Sequence, residues 1–282
     1  MSGSELPPDR SSIGTELPHP ESAGLDQMPT GELVAFLAND HARAVDAVAA
    51  AAESITHLVE VIVESLARGG RLIYIGAGTS GRLGVLDSSE CPPTFNSDPR
   101  QVMGIIAGGD DALRRSSEGM EDDPVGLDVE LHTHEVGADD VVVGIAAGGT
   151  TPWVLGGLAL AQRRGAATAL VCCTPRDCPS ECDQLVVLDT GPEALTGSTR
   201  LVAGTATKIA LNTITTSVFT RLGKVRGNRM VDLRATNEKL HDRCLRVLCD
   251  LFPDLDREHA ANELAAAGGS VRTVVERRET KP

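Results

Sequence analysis

Apolar positions in this chain fall into two alternating textures. Five short stretches are apolar at nearly every position: RLIYIGAG from Arg71, QVMGIIAGG from Gln101, DVVVGIAAGG from Asp140, ATALVCCT from Ala167 and QLVVLDT from Gln184. Runs without alternation are what strands of a parallel sheet look like when both faces are buried. Between them lie helix-compatible stretches such as TPWVLGGLALAQRRG from Thr151, and upstream an Ala- and Val-rich region from Thr30 to Ala67 predicts one or two helices closed by Gly69-Gly70. Strand, loop and helix repeated in this order predict an α/β fold with a doubly wound parallel sheet flanked by helices and ligands at the carboxyl ends of the strands. After Asp189 the texture changes. Residues 195–223 read as one long helix, and beyond Val231 only helices are predicted, the last two joined at Gly268-Gly269. The expected divisions are a flexible or draped segment over 1–28, the α/β domain with its N-terminal helices over 29–228, and a small C-terminal helical domain over 229–282.

Composition narrows what such a domain can do. The 282 residues carry 26 Lys plus Arg against 40 Asp plus Glu, and a net charge of −14 disfavours nucleic acid and anionic membrane as partners. Aromatic residues make up 2%, too few for base stacking or a polysaccharide cleft, so a small ligand fits better. With no apolar leader and no 18-residue uncharged apolar stretch, the expected setting is cytoplasmic. Seven cysteines are then expected to be reduced, and Cys172, Cys173, Cys178 and Cys182 lack the paired spacing of a zinc site; Cys172 and Cys173 read better as the end of a buried strand.

Two loops carry anion chemistry. GAGTSGR, from Gly76 to Arg82, joins a predicted strand to a predicted helix and offers backbone N–H groups, two hydroxyls and a guanidinium, with Gly78, Thr79, Ser80, Gly81 and Arg82 as candidate ligand contacts. Its spacing matches neither the dinucleotide fingerprint nor the P-loop, and a plain tight turn would use the same small residues. AAGGTTPW, from Ala146 to Trp153, repeats the layout, with Gly149, Thr150 and Thr151 as candidates and Pro152 in the first turn of a helix. In GPEALTGSTR, Thr196, Ser198 and Thr199 suit helix caps. Two acidic spots follow the loops. Glu90 precedes Pro92-Pro93, which are expected to stop its helix, while Glu118, Glu121, Asp122 and Asp123 form a dense patch that would also suit a solvated face. His132, His134 and His241 form no triad.

Five blocks carry more than class information: RLIYIGAGTSGRLGVLDSSECPPTF, IIAGGDDALRRSSEGMEDD, DVVVGIAAGGTTPWVLGGL, GPEALTGSTRLVAGTATKIALNTITT and RLGKVRGNRMVDLRATNEKLHDR. In order and spacing, from about Thr15 to Arg246, they resemble the N-acetylmuramic acid 6-phosphate etherases. The resemblance implies a sugar isomerase (SIS) fold, a homodimer with a shared active site, a sugar-phosphate substrate, and neither metal nor organic cofactor. It implies cleavage of the C3 lactyl ether with water, giving N-acetylglucosamine 6-phosphate and D-lactate, in cell-wall amino-sugar catabolism. It makes Glu90 the proton donor and Glu121 the second acid/base, and adds Glu193 and Ser198 to the substrate-binding set, with Thr79, Ser80 and Thr150 around the phosphate. For Glu90 to donate near neutral pH, burial would have to raise its pKa to roughly 6–7.

Gly148 and Val202 depart from the family pattern, which has Ser and Lys there, and the part after Arg246 is shorter than the family's helical domain. The same fold and blocks occur in the glucokinase regulatory protein, so a sugar-phosphate sensor is an alternative from another class; an aldose-ketose phosphosugar isomerase is a third. The pair Glu90 and Glu121 favours the enzyme, because a pure binding module needs no acid/base pair.

Overall fold

The computed structural model describes residues 9–115, 118–233 and 238–280. Five parallel strands form its centre, β1 (Leu72–Gly76), β2 (Val102–Ile106), β3 (Val141–Ile145), β4 (Ala167–Cys172) and β5 (Gln184–Val187), in the order β2-β1-β3-β4-β5. Leu72 is in register with Val102 on one side and Val141 on the other. The unalternating strand sequences follow from this position. Leu72 and Tyr74, with Val141, Val143 and Ile145, enter an apolar cluster on one face, while Ile73, Ile75 and Val142 enter a second cluster on the other. Cys172 and Cys173 end β4 fully buried, and burial, the dominant cause, pushes the Cys173 thiol up to about 12.

One face is covered by α2 (Ala42–Ala50), α3 (Ala52–Ala67), α4 (Gly78–Phe95) and α7 (Val202–Arg221); the other by α5 (Asp128–Thr133) and α6 (Pro152–Arg163). Ahead of α2 lies α1 (Thr30–Asp40), so the N-terminal helical region is three helices, broken at His41 and Ala51. Residues 195–223 are not one helix. Gly197 takes φ +74° in a turn, and α7 starts only at Val202. Pro92 and Pro93 do not stop α4, which continues to Phe95 and ends at Asn96 in the left-handed conformation. Each proline removes one intrahelical N–H, so the carbonyls of Ser88 and Ser89 lose their usual partners beside Glu90.

A short hairpin, β6 (Val225–Arg226) and β7 (Arg229–Met230), turns at Gly227-Asn228, where the sequence predicts no strand. After it come α8 (Glu238–Leu251), α9 (Arg257–Ala266) and α10 (Val271–Glu279), which bury Leu248, Leu264 and Val274 among themselves. Asp232 ties this unit to the sheet domain through Lys224 (2.6 Å) and Arg272. Residues 13–16 lie against loops at the carboxyl edge of the sheet, with Thr15 fully buried, and His19 packs on α1 through Asp40 and Phe36; the first eight residues of the 1–28 segment lie outside the described residues. No described helix is long and apolar enough to cross a membrane.

Candidate functional site

Strand order reverses direction at β1 and β3, whose crossovers leave to opposite sides of the sheet. The crevice between their carboxyl ends is where doubly wound folds hold ligands. Both candidate loops open there.

At the end of β1, Ala77 is extended and Gly78 takes φ +52°, so the chain turns directly into α4. A Cβ on Gly81 would lie 2.5 Å from the Gly76 carbonyl oxygen, so only glycine lets the first turn sit this close to the strand end. No side chain caps α4, and a Cβ at Gly78 would meet nothing within 4 Å. The first turn, with half-buried Thr79 and Ser80, therefore presents N–H groups and hydroxyls to an open space. At the end of β3, Gly149 takes φ +70° and Pro152 opens α6 behind Thr151. The Arg176 guanidinium donates to the Gly149 carbonyl, a contact for which the sequence offers no signal. At Gly148 a Cβ would lie 3.7 Å from Thr150 Oγ1 and 3.6 Å from Ile13 Cγ2, ordinary contacts.

Glu121 is brought to this crevice by α6. The Trp153 N–H in the first turn of α6 donates to the Glu121 carbonyl (3.0 Å), and a Cβ on Gly156 would stand 1.8 Å from the Pro124 carbonyl oxygen. The acidic segment thus lies flat on a glycine-lined helix face. Arg82 supports its upstream side: Nε donates to the Leu113 carbonyl and an Nη to that of Arg115, both at 3.3 Å. Two of its nitrogens are thus engaged by protein backbone in this chain.

Glu193 is fully buried, and its two carboxylate oxygens accept the N–H groups of Val202 and Ala203 at 2.9 Å each. It caps α7 from nine residues away and leaves neither oxygen aimed at a ligand. Val202, where the family pattern has Lys, is 1% exposed within the apolar cluster. The α7 terminus lies beside α4, because a Cβ on Gly204 would be 3.6 Å from the Thr79 methyl. Ser198, half-buried in the turn before α7, accepts the Leu201 N–H through its carbonyl. Replacing Glu193 with Gln puts an amide NH2 against a backbone N–H. We expect a loss of about 2–4 kcal/mol, read as a shift of the urea midpoint, and an unchanged midpoint would show that the cap is dispensable.

Glu90 is not brought to the loops within one chain. It is exposed on α4, twelve residues beyond Gly78, about 18 Å along the axis at the α-helical rise. Three residues earlier, Asp87 is 4% exposed and accepts from Asn212 Nδ2 (2.7 Å), Thr215 Oγ1 (3.2 Å) and the Tyr74 hydroxyl (3.2 Å). Burial raises its pKa, partly offset by these donors, and the cluster pins α4 to α7 and β1. Asp87 is absent from the candidates drawn from the sequence, although an acid on the small-residue face shared by Gly84, Ser88 and Cys91 is a detectable oddity. Among the described residues no group of His, Cys, Asp or Glu is placed to hold a metal.

The model of the glucokinase regulatory protein N-terminal SIS domain matches residues 54–162. Among solved structures, the c3406 protein of Escherichia coli CFT073 superposes with a TM-score of 0.52 at 17% identity, covering 71% of this chain and 97% of that one. A putative phosphosugar isomerase involved in capsule formation from Bacteroides fragilis NCTC 9343 gives 0.51 at 17% identity, over 69% and 92%. These likenesses show the fold. Full-length similarity goes further: the chain is 54% identical to the N-acetylmuramic acid 6-phosphate etherase of Parasynechococcus marenigrum (strain WH8102), over 94% of this chain and 84% of that one. It is 49% identical to the enzyme of the same name from Gloeobacter violaceus, over 95% and 88%. On this identity across nearly its whole length, the chain belongs to the N-acetylmuramic acid 6-phosphate etherase family.

Proposed function

We propose that this protein cleaves the C3 lactyl ether of N-acetylmuramic acid 6-phosphate with water, releasing N-acetylglucosamine 6-phosphate and D-lactate. The observation that supports this reading is the seating of the Glu121 backbone against Trp153, at the start of the helix that follows the 146–151 loop, in a chain that also keeps Glu90.

An alkoxide is a poor leaving group, so the ether needs help from the neighbouring carbonyl. In the open-chain sugar the C2 hydrogen lies next to the C1 aldehyde. A base takes that proton, the electrons form a C2–C3 double bond, and the C3–O bond breaks as the departing lactyl oxygen is protonated. Water then adds at C3 of the unsaturated aldehyde, and a proton returns to C2. Two carboxyl groups suffice, one protonating the leaving oxygen and activating water, the other handling the C2 proton. Glu90 takes the first role and Glu121 the second. The phosphate is held by the first turn of α4 with Thr79 and Ser80, while Thr150 and the Gly149 loop face the sugar from β3. Glu193 has spent its charge on α7, which leaves the α4 terminus as the better anion site.

Because Glu90 stands far from its own α4 terminus, we assign it to the ligand bound at the partner subunit, in a homodimer with shared sites. Incubation of purified protein with N-acetylmuramic acid 6-phosphate tests the reading. Stoichiometric D-lactate is the expected product. Binding without release would support a sugar-phosphate sensor, and aldose-ketose interconversion without lactate an isomerase.

A further inference from the structure

Residues Ile13–Glu16 run as a strap along the carboxyl edge of the sheet, and the mechanism above makes no use of them. Ile13 lies at Gly148, its Cγ2 3.6 Å from the position of a Cβ there; Gly14 lies at Thr174, 3.7 Å from its Cγ2 by the same measure; and the Glu16 carboxylate lies at Gly197, at 3.0 Å. One tetrapeptide therefore touches the β3 loop, the end of β4 and the turn before α7. Ile13 is only half-buried, and its Cγ2 stands at the Gly148–Thr150 loop. Beneath the strap the Oγ1 atoms of Thr15 and Thr174 are buried without any protein partner. The second loop is thus bordered by an apolar side chain at Gly148, the position where the family pattern has Ser.

A lactyl ether presents two groups that this border would sort. Its methyl needs an apolar neighbour and its carboxylate needs donors. We propose that Ile13 is a specificity-determining residue that meets the methyl group of the 3-O-substituent across the space left open by Gly148. The proposal rests on the etherase reading. It implies that the protein distinguishes 3-O-lactyl from 3-O-carboxymethyl sugar phosphates, which differ by that one methyl.

The test compares kcat/KM for release of lactate and of glycolate from the two ethers. Wild-type protein is expected to prefer the lactyl ether by about tenfold, the lower range for one methyl in an apolar pocket. Ile13→Ala is expected to bring the two within about twofold by lowering the lactyl value, with the carboxymethyl value little changed. Gly148→Ala, whose new methyl meets Ile13 at ordinary contact distance, is expected to fill the same space and reduce the preference without unfolding the loop. A preference that is unchanged in both variants overturns the proposal while leaving the etherase reading intact. Release of neither acid by wild-type protein overturns both.

Discussion

Replacing Glu90 with Gln is expected to lower D-lactate release by about a thousandfold, within the range for losing a general acid, while the circular dichroism spectrum and melting midpoint stay close to wild type. The fold should tolerate the change because Glu90 is exposed and the contacts that fix α4 belong to Asp87 and the apolar face. The same geometry makes a second, sharper outcome available. If Glu90 serves the ligand of the partner subunit, each mixed dimer of Glu90→Gln with Glu121→Gln subunits holds one site with both glutamates and one with neither. Random mixing would then recover about a quarter of wild-type activity from two nearly inactive proteins, as expected for a symmetric interface with shared sites. Mixtures as inactive as their components, with subunit exchange demonstrated, would place Glu90 in the site of its own chain. A fully active Glu90→Gln protein would remove it from the chemistry altogether.

Gly156→Ala is expected to have the largest effect of any substitution outside the reacting groups. The new methyl would sit 1.8 Å from the Pro124 carbonyl oxygen, which is backbone and has no rotamer to move into. The 121–126 segment must therefore lift from α6 by about 1 Å or more, and misplacement on that scale costs about a hundredfold in rate. Glu121 moves with it, because it lies three residues before Pro124, and the bond from the Trp153 N–H to its carbonyl is stretched. We expect kcat to fall more than KM rises, since the proposed phosphate site at α4 is untouched. A variant that is folded and kinetically normal would show that the segment does not need this seat.

The contrast between these two residues also shows what sequence reading can reach. The five strands are legible because burial on both faces leaves an unalternating apolar signature, as in Leu72 to Gly76 and Val141 to Ile145. The two glycine-rich loops after β1 and β3 are legible because their glycines follow strands directly. Helix limits are not, because Ala-rich sequence around His41 and Ala51 is helical on either side of each break, and because α4 passes through two prolines instead of stopping. Roles that depend on distant partners are hidden as well. The oxygens of Glu193 lie on the Val202 and Ala203 N–H groups, and the Arg82 guanidinium lies on the 113–115 backbone, contacts across the chain that no local pattern announces. The separation of Glu90 from the loops is a matter of helix length alone. Adjacency in a signature block conceals it, because twelve residues of helix carry a side chain far from the loop that precedes them.

Synthesis on the ribosome meets the strap in an awkward order. Ile13, Gly14 and Glu16 leave the exit tunnel more than 130 residues before Gly148, Thr174 and Gly197, against which they lie. This stretch must wait, unpaired, until β3, β4 and the turn before α7 have been made and packed, so it finds its place long after it is made. Contacts formed last between such distant segments are held by few neighbours and are the cheapest to reopen. Local opening of the strap at the β3 loop would leave the sheet beneath it closed.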